Sequence, residues 1–92
     1  MMIVELIPTN WRKSFYGKAK VIIDGTASYL LSYNTVIAGI GADGKPHRYS
    51  NHRSNTTNTH VKSFLKCSGI GMGTTEFWAL PVEDMPRLCV TL

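Results

Sequence analysis

The chain has 92 residues, 43% of them hydrophobic and 17% charged, with a formal net charge of +4. That composition belongs to an ordinary globular protein and excludes a disordered or fibrous one. A chain this short buries only about 60 to 65% of its unfolded surface, so it supports one domain over 1–92.

The longest apolar runs, at 21–23 and 35–41, fall far short of the roughly 20 residues that cross a bilayer, which argues against a membrane partner. The start MMIVELIPTNW has no basic stretch ahead of its apolar residues and no small-residue cleavage site, so a cytoplasmic location is expected. Charge is uneven. Residues 12 to 66 carry nine Lys and Arg against Asp24 and Asp43, and the remainder carries Glu5, Glu76, Glu83 and Asp84 against Arg87. A basic middle favours encounter with a polyanion or an acidic protein surface without naming either.

Met2 to Ile7 reads as a first strand, ended by Pro8-Thr9-Asn10. Lys18 to Ile23 is the second, and Asp24-Gly25 before Ser28 to Leu31 is a hairpin signal, because glycine reaches the positive φ of a tight turn. Thr35 to Ile40 runs into a second Asp-Gly turn at 43–44 and returns through Pro46 to Tyr49. These segments describe an antiparallel meander.

After Asn55 the period changes. Val61, Phe64 and Leu65 fall at i, i+3 and i+4 while Lys62, Ser63 and Lys66 face away, which predicts an amphipathic helix over 58–67, capped by Thr56 or Thr57 and ended at Ser68-Gly69. Gly69 to Gly73 reads as a linker, Thr75 to Leu80 as a strand stopped at Pro81, and Leu88 to Leu92 as a short edge strand. The expected architecture is α+β, a sheet of about five to six strands with one helix on one face and the other face open.

Cys67 and Cys89 form no CxxC, so two separate buried thiols are expected rather than a disulfide. All three histidines lie in the polar segment 47–60. A structural zinc needs four donors within about 2.0 to 2.3 Å, commonly from close pairs, and no such pair exists. His60 and Cys67 are about 10 Å apart along a helix. A zinc site from His47, His52 and His60 with Asp43 or water stays open, against solvent-facing or capping histidines. The glycines of GIGMG, 69–73, follow a helix and precede a strand, the reverse of a dinucleotide loop. No nucleophile, base and orienting group share a telling spacing, and Glu83-Asp84 are loop neighbours, so a non-enzymatic protein is expected.

The segment WRKSFYGKAK interleaves Trp11, Phe15 and Tyr16 with Arg12, Lys13, Lys18 and Lys20. Aromatic faces stack on bases while Lys and Arg meet phosphates, but the same residue types make protein hot spots or close a small core. Arg48 and Arg53 extend the basic set towards the helix.

The pieces YLLSYNTVIAGI (29–40), DGKPHRY (43–49), NTTNTHVKSFL (55–65) and EFWALPV (76–82) resemble a group of small proteins encoded by Gram-positive bacteria and their phages. In that group a Ser-x-Thr-Thr tract precedes a histidine that opens the helix, matched here by Ser54-Asn55-Thr56-Thr57 and His60, whereas His52 is not a group feature. The resemblance implies a mobile-element accessory protein. In size and composition it is similar to inhibitors of type II CRISPR nucleases, which implies a binder of a host protein or ribonucleoprotein complex, with a small nucleic-acid-binding regulator as the alternative.

Overall fold

The computed structural model describes residues 2–8, 15 and 17–85. Five strands, β1 (Met2–Glu5), β2 (Ala19–Asp24), β3 (Ala27–Ser32), β4 (Thr35–Ile40) and β5 (Pro46–Arg48), form one antiparallel sheet in the order of the chain. Two helices follow, α1 (Asn55–Cys67) and the single-turn α2 (Thr74–Trp78). The α+β meander expected from the hydrophobic periods is therefore the fold. No helix among the described residues is long and apolar enough to cross a membrane.

The Asp-Gly turns work through glycine at positive φ, Gly25 at 61° and Gly44 at 77°. Gly25 is the first of two residues between Asp24 and Ala27, the position where a II′ hairpin requires it. Between β3 and β4 the register shifts: Leu30 pairs with Ala38 but Leu31 with Val36, leaving Ile37 as an extra residue. A bulge of this kind breaks strict alternation. Both Ile37 and Ala38 consequently join the cluster under α1, with Leu30, Ile40, Val61, Phe64, Leu65 and Phe77.

The opposite face differs from the open one expected. Ile22, Tyr29, Leu31 and Val36 form a second cluster there, with Tyr29, the most accessible of the four, only 8% exposed. Gly39 is what lets the aromatic part of that face close. A Cβ at Gly39 would sit 2.8 Å from Tyr29 Cδ1 and 2.9 Å from Tyr49 Cε2, so the two rings lie over bare backbone.

Two elements depart from the sequence reading. Thr75 to Leu80 is not a strand: α2 places Phe77 fully in the core and Trp78 at its edge, the two rings in T-shaped contact at 5.1 Å. The β propensity of Phe and Trp was overridden by this tertiary burial. The main helix begins at Asn55, not 58, because Ser54 and not Thr56 or Thr57 is its cap. Ser54 is extended (φ −133°, ψ 168°), and its Oγ accepts from the Thr57 N–H at 3.1 Å. Thr57 is buried at the third helical position, where its Oγ1 accepts the Ser54 hydroxyl at 3.0 Å. Ser63 is likewise buried instead of facing outward. The suggested edge strand at Leu88 to Leu92 lies outside the described residues.

Two stability measurements check this account. Ser54→Ala should lower stability by about 1 kcal/mol in chemical denaturation, with Thr56→Ala much milder. Gly39→Ala should cost about 1 to 3 kcal/mol, because the new methyl group must displace two packed rings.

Candidate functional site

The residues singled out in sequence do not gather at one place. Trp11, Arg12, Lys13 and Tyr16 lie outside the described residues. Phe15 is core, buried beside the His60 ring at 4.7 Å in an edge contact. Lys18 is exposed, and Lys20 stands opposite Glu5 in the β1–β2 ladder.

The four candidate zinc ligands are not gathered at one point, although Asp43 and His47 both lie beside Gly41. His60 is neither capping nor solvent-facing: it is 1% exposed, with Nδ1 2.8 Å from Ser32 Oγ. Ser32 is also buried, so this pair is a hydrogen bond of the interior with no access for a substrate. His47, on the edge strand β5, holds Glu83 Oε2 through Nδ1 at 2.7 Å and stacks on Tyr49. His52 is exposed in the loop, and Asp43 accepts the Lys45 N–H within its turn at 3.0 Å. Among the described residues no group of three or more His, Cys, Asp or Glu is placed to hold a metal ion. Cys67 is a free thiol, but exposed rather than buried: it ends α1 on the side of Phe64, and its Sγ donates to the Ile7 carbonyl at 3.8 Å, beside the sheet edge. Cys89 lies outside the described residues. Burial raises the Tyr49 phenol above its ordinary pKa, and Tyr29 and the Glu83 carboxylate push it the same way.

Arg48 is a tie. Nε donates to the Leu80 carbonyl at 2.8 Å, Nη2 donates to the same oxygen, and Nη1 reaches Asn51 Oδ1 at 3.0 Å and the Ser50 carbonyl at 3.3 Å. Its strand also forms a parallel bridge with Val82, and the Glu83 N–H donates to the Arg48 carbonyl at 2.8 Å. The end of α2 is thereby fastened to β5.

That fastening sets Trp78. Its Nε1–H donates to Asn58 Oδ1 at 2.8 Å, and the guanidinium carbons of Arg48 and Arg53 lie 5.8 and 5.6 Å from the centre of its ring. Asn58 begins a row on α1 that continues through Lys62 and Lys66 at i+4 and i+8, with successive side chains about 6 Å apart along the axis. The row borders a groove of about 490 Å³ whose far wall is Ile70, Met72 and Thr74. Lys62, Lys66 and Arg53 are exposed, and among the described residues no carboxylate pairs with any of them. Electrostatically this is a cationic track with an aromatic ring at one end. Of its members the sequence pointed to Arg53 alone. The outward spacing of Lys62 and Lys66 was visible, but Trp78 joins them through a contact twenty residues away.

Arg48→Ala should destabilise by about 1.5 to 3 kcal/mol, because the Leu80 carbonyl loses a charged donor. The same variant should quench or shift tryptophan fluorescence differently from the parent if α2 comes loose.

No curated protein and no solved structure matches the chain. Residues 2–79, which include the whole cationic track, match the family of unknown function DUF8033, and the chain belongs to that family.

Proposed function

We propose that this is a non-enzymatic binding protein whose α1 face engages the phosphates of single-stranded nucleic acid, free or held within a ribonucleoprotein. One observation carries the reading: Lys62, Lys66 and Arg53 are exposed cations with no carboxylate partner among the described residues, and they flank a positioned indole. Lysines about 6 Å apart on a helix suit successive phosphates, and the face of the half-buried Trp78 indole supplies a stacking surface for a base. The resemblance to small phage proteins directs the proposal to a cytoplasmic host complex that handles nucleic acid. The inhibitor of an RNA-guided Cas nuclease is its sharpest form, with the exposed guide RNA as the contact that a basic protein can make.

Binding of a labelled single-stranded RNA, followed across a salt series, tests it. Three phosphate contacts give a log-log slope of about 2, at roughly 0.7 per contact. Lys62→Gln with Lys66→Gln should cut the slope to about a third of that and leave the melting curve in place. A flat salt dependence, or full affinity in the double variant, would sink the proposal. The inhibitor form adds a second readout, loss of guided cleavage on adding the protein, restored in the same double variant.

A further inference from the structure

The two edges of the sheet are treated differently. β5 is three residues long, begins with Pro46, carries Arg48, and has Val82 and Glu83 laid against it. These are the devices by which proteins block unwanted strand pairing. β1, also short at four residues and carrying Glu5, lacks the others. It contains no proline, lysine or arginine, no described strand pairs with its outer side, and its side chains are all exposed: Met2 59%, Ile3 40% and Val4 37%. Ile7, at 67%, and Ile23, at 37%, extend the apolar strip. Beside it Val4, Leu6, Ile7, Val21 and Phe64 line a hollow of about 230 Å³ between the sheet edge and the end of α1.

The orientation of the free main-chain groups follows from one bond. The Leu6 N–H donates to the Ala19 carbonyl at 3.1 Å, so Leu6, Val4 and Met2 turn their main-chain groups towards β2. Ile3 and Glu5 turn theirs outward, since the two kinds of pair alternate along an antiparallel ladder.

We infer that β1 is a dimerisation edge, taking β1 of a second copy of this chain in antiparallel register about Val4. In that register Ile3 and Glu5 exchange main-chain hydrogen bonds with the second copy's Glu5 and Ile3, and Val4 meets Val4 across the two-fold axis. Every pair keeps its side chains on a common face, as direct cross-strand partners must. Glu5 faces Ile3, so no like charges oppose each other. Glu5 stands beside its cross-strand partner Lys20, so the edge is close to neutral, and two copies of a chain of net charge +4 meet there with little repulsion. Because β5 is blocked, the contact cannot propagate head to tail, and the assembly closes as a two-fold dimer instead of growing into a filament.

Sedimentation equilibrium of the full chain over a concentration series tests this. The expected mass is twice the 10.2 kDa of the chain. Val4→Lys places two ammonium groups opposite each other at the axis and should weaken the dimer on the order of tenfold or more, whereas Val4→Thr should retain it. Ile3→Pro removes an outward N–H without touching the β2 ladder, and gives the same answer should Val4→Lys fail to fold. A monomer throughout the series, or a dimer indifferent to both substitutions in folded protein, would overturn the inference.

Discussion

The rest of the molecule depends on a single burial, that of Val61, Phe64 and Leu65 of α1 against Leu30, Ile37 and Ala38 of the sheet. Each such side chain contributes roughly 1.5 to 3 kcal/mol when fully removed from water, and in a chain of 92 residues few other places supply as much. The bulge at Ile37 serves this burial by giving the sheet two consecutive inward side chains where strict alternation would give one. Once the inner face of the helix is fixed, its outer face is fixed too. Lys62 and Lys66 are turned out of the core because each follows a buried residue, Val61 and Leu65, by one step of about 100° around the helix.

The guanidinium of Arg48 then does for α2 what packing does for α1. A single helical turn cannot hold itself in water, and Phe77 alone gives it one anchor. Arg48 adds hydrogen bonds to the chain just beyond that turn, so the ring of Trp78 is held from both sides: by Asn58 through its N–H and by Arg48 near its ring. Two arginines approach the same indole, but one has its donors engaged within the fold. Arg53 is the one left facing solvent.

The strands were legible because their signals are local. Asp-Gly at 24–25 and 43–44 and the β-branched runs between them act over a handful of residues, and tertiary context had little reason to oppose them. The cap at Ser54 is also a local contact, with Thr57 three residues on. Three other misreadings share one cause. The helical Phe77, the inward His60 and the closed second face were each decided by a partner remote in sequence: the core under α1, Ser32, and the rings over Gly39. His60 is the plainest case, since a polar tract of Asn, Thr and Ser offers nothing that marks one histidine for the interior. The candidate site was hidden for the same reason. Lys62 and Lys66 could be read as an exposed pair, but only folding brings Trp78 to the head of their row.

The plain meander order of the strands has a consequence for how the protein forms. Every strand pairs with its neighbour in the chain, so each rung of the sheet closes a short loop, and the entropy lost at each step is small. Low contact order of this kind is associated with folding faster than sandwiches and barrels of similar size. The sheet can zip hairpin by hairpin as the chain emerges from the ribosome, with α1 and α2 arriving afterwards on a surface already made.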